Sequence, residues 1–175
     1  FADPRIRAVI ATTGGDDEVT VVPHVDTAVV SNDPKPFFGY SDNTNLHHLL
    51  WGLGVPSYYG GSTQVHLGAG PQVDDIHLQS LRAALLDGGE IELTDPGVSE
   101  DFGVEWEDPR SLTEFGVREP TDPWTWAGPK KSVEGRTWGG CIEVIDQIAI
   151  AGRMPETEDL NGKILLFETS EEVPP

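Results

Sequence analysis

The sequence predicts an α/β fold, with a mainly parallel sheet and flanking helices in an N-terminal domain and the start of a second, C-terminal α/β domain. Three observations carry that expectation. Short apolar runs closed by glycine or a turn recur at residues 7–13, 35–39 and 56–60, as buried parallel strands do. Segments with apolar residues at helical spacing follow these runs, so that strand and helix alternate. A further run, Lys163 to Glu168, reads as a strand of the second domain.

In chain order, Arg7 to Thr13 is an apolar, β-branched strand bounded by Gly14 and Gly15. Asp16 and Asp17 begin a helical or irregular segment reaching Val21, Val22 and Val25, with Pro23 limiting its regularity. After Asp33 and Pro34 comes the strand Lys35 to Gly39, then Tyr40, Ser41 and Asp42, then a helix with Leu46, Leu49, Leu50 and Leu53 on one face. Pro56 to Gly60 is the next strand, Gly60 to Ser62 a turn, and Gln64 to Pro71 a loop carrying His66. Asp74 and Asp75 open a helix to about Leu86, buried through Ile76, Leu78, Leu81, Ala84 and Leu85 and closed by Gly88 and Gly89. Glu90 to Thr94 alternates polar and apolar, which predicts a half-exposed strand.

From Asp95 to Glu134 the chain is rich in Pro, Gly and acids, lacks a sustained period, and carries Trp106, Trp124 and Trp126. A segment this long is functional or disordered, and disordered segments are poor in aromatics. Two readings stay open: a lid or binding loop, or rings that pin the loop to its own domain. Gly135 to Cys141 leads into a helix, Ile142 to Ile150, packed by Ile142, Ile145, Ile148 and Ala149. After a turn at Asp159 to Gly162, Lys163 to Glu168 reads as a buried strand ending on a carboxylate. The expected division is 1–94 for the first domain, 95–135 for the Trp-rich substrate or lid loop, and 136–175 for the connection and the start of the C-terminal domain. The chain opens on Phe1 and stops at Pro175 after a strand-like run, so a piece of a longer protein is expected.

The charge is −19 from 30 acidic and 11 basic side chains. Such a surface repels phosphate backbones, so binding to a nucleic-acid polymer is not expected. Neither an apolar run of about 20 residues nor a basic-then-apolar leader is present, so no membrane partner is expected and a cytoplasmic protein is the simplest reading. One cysteine allows no internal disulfide, and no zinc-ligand spacing occurs.

Three expected strand ends carry chemistry. Ser41 sits on a sharp turn from strand to helix, where a hydroxyl is exposed beside the free N–H groups of the helix start, the logic of a nucleophile elbow. Asn43 stands where the second glycine of that motif belongs, and a helix cap is the other reading of Ser41 or Asp42. Gly14 and Gly15 allow a tight turn or a close approach to a ligand. Glu168 ends a parallel strand, where α/β folds place their ligands, or else caps a helix or pairs with a lysine. Oxyanion donors, a nucleophile and an orienting carboxylate are parts of acyl transfer, which also needs a base. His47 and His48 lie about two helical turns past Ser41, and His24, His66 and His77 have no partner signature, so all five read as structural or surface residues.

The ordered set Ala11 to Gly15, Phe38 to Leu46, Trp138 to Ile142 and Gly162 to Glu168 resembles the LD-carboxypeptidase family of serine peptidases, and nearly the whole chain takes part. That family includes enzymes of self-immunity to the peptide-nucleotide antibiotic microcin C. The resemblance implies a Ser–His–Glu triad without metal or cofactor, with Ser41 as nucleophile and Glu168 as acid. Gly15 and Asp42 match the oxyanion-hole region, with Gly14 beside the substrate. It places the histidine further on, in a C-terminal domain, so residues 1–175 alone are expected to have little activity. It also implies a homodimer for the longer protein, and a small peptide or aminoacyl-nucleotide substrate. Two departures stand out: Cys141 replaces the family's Asn, and the 95–134 loop is long and Trp-rich, as in the microcin-immunity branch. There an aromatic stacks on the nucleobase, worth ~1–3 kcal/mol per ring; Trp124 and Trp126, then Trp106, are the candidates. The rival expectation is a non-catalytic α/β module that binds a nucleotide or peptide, with Ser41 as a helix cap.

Overall fold

The structure, a computed structural model, describes residues 1–100 and 103–170. Positions 101–102 of the Trp-rich segment and the chain end at 171–175 lie outside the described residues. The chain forms two compact units, Phe1–Ser62 with Val133–Pro175, and Thr63–Ser132. These limits differ from the three-part division expected from sequence.

The first unit begins with β1 (Val9–Ile10), α1 (Glu18–Val21), α2 (Thr27–Asn32), β2 (Phe37–Gly39), α3 (Thr44–Gly52) and β3 (Tyr58–Tyr59). The three strands pair in parallel in the order β1-β2-β3, with Val9 opposite Phe37 and Phe38 opposite Tyr58. Asp26 caps α2 by accepting the Ala28 and Val29 N–H groups at 3.0 and 3.2 Å. The core is built from Val30, Phe37, Leu50 and Val55, with Leu46 and Leu53 packed against it, which is most of the predicted face of α3. The first turn of that helix differs from expectation. It buries polar side chains, with Thr44 fully enclosed and Asn45 nearly so. Buried polar groups are hydrogen-bonded as a rule: the Thr44 hydroxyl bonds Tyr59 and Cys141 at two strand ends, and the Asn45 amide N–H group bonds Asp42 in the elbow.

The second unit contains α4 (Asp75–Arg82), β4 (Val98–Ser99) and β5 (Glu119–Pro120), the strands forming one short antiparallel pair. Asp74 caps α4 through the Ile76 N–H and pairs with Arg118. Residues 63–67, expected as loop, form a π-helical turn, and a second such turn, Ala83–Asp87, carries α4 on to Gly88, whose φ of 65° ends it. The predicted apolar face of α4 is not buried: Ile76 and Leu78 are exposed. Glu90 to Thr94 is not a strand, for among the described residues it has no ladder partner, and Leu93 faces solvent.

Back in the first unit, β6 (Thr137–Cys141), α5 (Ile142–Ile150) and β7 (Ile164–Glu168) complete the order. β6 and β7 pair in parallel, from Thr137 opposite Ile164 to Cys141 opposite Glu168. The strand in β6 was not anticipated: Gly135 to Cys141 was read only as leading into the helix, and its three glycines and polar residues lack a strand pattern. α5 packs through Val144 and Ile148 against Cys141, whereas Ile142 and Ala149, predicted inside, are exposed. β7 was expected to be buried, yet Leu165, Leu166 and Phe167 are each about half exposed, because among the described residues the strand has a partner on one edge only. Among the described residues, no helix is long and apolar enough to cross a membrane.

Candidate active site

The backbone turns sharply at Ser41. Tyr40 is extended, at φ −152° and ψ 179°, and Ser41 is at φ 58°, the sole non-glycine residue with positive φ among those described. A short 3-10 turn, Ser41–Asn43, then feeds α3. A serine in the left-handed region costs about 1–2 kcal/mol, so the surroundings must hold it there. They do so from three sides.

The first side is the glycine turn after β1. A Cβ on Gly14 would lie 2.9 Å from the Ser41 Cβ and 3.0 Å from its Oγ, and a Cβ on Gly15 would lie 3.2 Å from an Asp42 carboxylate oxygen. The second side is Asn43, at the place of the missing motif glycine. Its amide donates to the Thr13 carbonyl at 3.0 Å and the Tyr40 carbonyl at 2.9 Å, tying the end of β1 to the elbow. Gly39 makes room for it, since a Cβ there would come within 2.9 Å of Asn43. The third side is Tyr59, whose hydroxyl accepts the Ser41 N–H at 2.9 Å and donates to Glu168 Oε1 at 2.5 Å. Asn43 was noted from sequence only as a departure from the elbow motif, and Tyr59 only as part of a strand. The alternation of Tyr58 and Tyr59 along a strand, which turns their rings to opposite faces, was the signal available for the second.

Gly14, Gly15, Ser41 and Glu168 line one cleft of about 620 Å³, together with Asp16, Cys141 and Glu143. The Asp42 side chain turns away from solvent, accepting the Glu18 N–H at 2.9 Å and the Asn45 amide at 3.1 Å. Trp106, Trp124 and Trp126 belong to the second unit, where the rings of Trp124 and Trp126 meet edge to face at 6.3 Å and Trp126 is 85% exposed. Cys141, buried, donates its thiol to Glu143 at 3.2 Å, and burial pushes its ionisation up. Its backbone N–H donates to the Thr44 hydroxyl at 3.1 Å.

The histidines are engaged elsewhere. His47 Nε2–H donates to the Gly39 carbonyl at 3.0 Å and Nδ1 faces the Ser57 hydroxyl at 2.7 Å; burial pushes its pKa down to about 4 and keeps the ring neutral. His48 Nε2–H donates to the Gly139 carbonyl at 2.9 Å and joins α3 to β6. The His66 and His77 rings meet edge to face within the second unit, 4.8 Å between centroids, and His24 is exposed at the end of a 3-10 turn. Among the described residues, no group of three or more His, Cys, Asp or Glu side chains converges as a metal site would.

Glu18 is the one carboxyl near the elbow with a large shift. Burial, reinforced by the Asp42 charge, pushes it up to about 7, although the Leu46 N–H that it accepts at 3.3 Å works the other way. The folded state therefore holds this proton more tightly than the unfolded chain. Its stabilising contribution is complete below about pH 4.5 and is lost as pH rises through about 7. Glu18→Gln is accordingly expected to match the parent near pH 4 and to be about 2–3 kcal/mol more stable near pH 8. Thermal denaturation at the two pH values checks this; an equal gain at both would remove the assigned cause.

Comparison with known proteins identifies what the chain is similar to. The LD-carboxypeptidase N-terminal domain matches residues 1–60. A Vibrio cholerae protein named as a carboxypeptidase is 31% identical over 170 residues, covering 96% of this chain and 49% of its own length. The microcin C7 self-immunity protein MccF of Escherichia coli is 29% identical over 171 residues, covering 96% of this chain and 48% of its own. The solved structure of MccF in complex with glutamyl sulfamoyl guanosine superposes with a TM-score of 0.80 at 26% identity, over 97% of this chain and 50% of that one. The chain thus spans about half the length of the curated relatives it matches. Residues 1–60 thus match an LD-carboxypeptidase N-terminal domain, and the chain as a whole has the fold of MccF.

Proposed function

We propose that this chain is the nucleophile-bearing part of a serine peptidase that hydrolyses an amide bond in a small peptide conjugate. One observation carries the reading: Ser41 is held in the left-handed region at the end of β2, facing a cleft shared with Glu168. Ser41 attacks the carbonyl, Glu168 orients a histidine contributed from outside residues 1–175, and that histidine takes the serine proton and returns it to the leaving amine. The N–H of Asp42, at the open start of a helix, and the Gly14–Gly15 turn hold the oxyanion. The substrate is a peptidyl or aminoacyl nucleotide, or a murein L,D-peptide. The nucleoside conjugate bound by MccF supports the first, and the family match supports the second. The exposed Trp124–Trp126 pair offers a surface for a planar base. The reading takes the longer protein to be a cytoplasmic homodimer with no metal or cofactor.

The test is covalent labelling of the longer protein with a fluorophosphonate, followed by peptide mass spectrometry. Modification at Ser41 is expected. An unmodified Ser41 beside a labelled control hydrolase would favour a non-catalytic binding module instead.

A further inference from the structure

We propose that Tyr59 is a positioning residue that fixes the nucleophile's backbone and the acid's carboxylate with one hydroxyl, an inference that rests on the reading of Ser41 and Glu168 given above. A phenol hydroxyl has one proton and two lone pairs, and here all three are committed. The proton goes to Glu168 Oε1 at 2.5 Å, and the oxygen accepts the Ser41 N–H at 2.9 Å and the Thr44 hydroxyl at 3.2 Å. Thr44, having given its proton, accepts the Cys141 N–H at 3.1 Å. The bonds therefore all point one way, from the β6–α5 junction through Thr44 and Tyr59 to the carboxylate, and such chains strengthen cooperatively. Burial first, and then the carboxylate, push the ionisation of Tyr59 upward, which keeps it a donor.

Tyr59 is 42% exposed, and its ring is braced on the inner side. It packs 5.2 Å from His47, itself fixed at both nitrogens, and a Cβ on Gly140 would lie 3.1 Å from the Tyr59 ring. Two consequences follow for the chemistry. Glu168 has one oxygen anchored, leaving the other to orient a base. The Ser41 N–H is occupied, so the oxyanion must take its donors from Asp42 and the glycine turn rather than from the nucleophile's own amide.

The test measures fluorophosphonate acylation of Ser41 against pH in the longer protein, for the parent and Tyr59→Phe. Loss of the hydroxyl is expected to slow acylation about 10- to 100-fold, as loss of an orienting partner does elsewhere, with probe affinity little changed. The pH midpoint of the base should fall, because a poorly oriented carboxylate stabilises the imidazolium less. A merely structural role would lower thermal stability but leave that midpoint unmoved. If Tyr59→Phe does not fold, 3-fluorotyrosine at position 59 keeps the shape and strengthens the hydrogen bond to Glu168, and a shift of the midpoint in the opposite, upward direction is expected. Parent-like rate and midpoint in the variant that folds overturn the proposal. Should Ser41→Ala retain full hydrolysis, the reading beneath it fails; a labelled Ser41 with a silent Tyr59→Phe overturns the positioning role alone.

Discussion

Ser41→Ala is expected to lower hydrolysis of an aminoacyl-sulfamoyl nucleoside or an L,D-tetrapeptide by the longer protein by up to about 10⁶-fold, the size seen when a triad serine is removed elsewhere. The substitution deletes the attacking oxygen and leaves its setting intact. The Ser41 N–H still meets Tyr59, and Asn43 still holds the Thr13 and Tyr40 carbonyls. Alanine bears the same backbone strain at φ 58° as serine does, so the melting temperature should move little. That separates lost chemistry from lost fold. Ser41→Gly provides the complementary control: it relieves the strain and is expected to gain about 1 kcal/mol of stability while remaining inactive. Hydrolysis within tenfold of the parent in the alanine variant would sink the assignment of the nucleophile.

Gly139→Ala is expected to be the most damaging single change to the fold. Gly139 has φ 147°, and a Cβ there would lie 1.7 Å from the Leu166 carbonyl oxygen and 2.7 Å from its carbon. Neither group is the free end of a side chain. The backbone of β7 would have to move, breaking the register that sets Cys141 opposite Glu168. A loss above about 4 kcal/mol is expected, the range reserved for named backbone or core failures, and urea denaturation measures it. Gly152→Ala is the matched comparison. Its φ is 68° but nothing lies within 4 Å of the added carbon, so it should cost only about 1 kcal/mol. Similar losses in the two variants would show that close strand packing is not what Gly139 provides.

The elbow was legible in sequence because its parts are local. An apolar run, a glycine and a serine before a helix-spaced set of leucines say strand, turn and helix without help from the rest of the chain. Glu168 was legible for the same reason, as the acid at the end of an apolar run. What escaped was set by distant partners. β6 was hidden because Gly139 and Gly140 have no side chains to mark a strand, and only the Leu166 carbonyl and Thr44 pressed against them explain why glycine belongs in a strand there. Tyr59 joins residues 18 and 109 positions away, a link no local pattern encodes. The alternation at Glu90 to Thr94 failed as a strand signal because a strand needs a partner, and no ladder partner is present among the described residues.

The half-exposed β7 has a consequence for handling the protein. Among the described residues its outer edge is unpaired, and Leu165, Leu166 and Phe167 lie at its surface, the composition of a template for edge-to-edge association. What opposes such association between copies is the charge of −19. Concentrated salt shortens the reach of that repulsion to about 3 Å at 1 M without weakening the apolar edge, so colloidal stability is expected to fall as ionic strength rises.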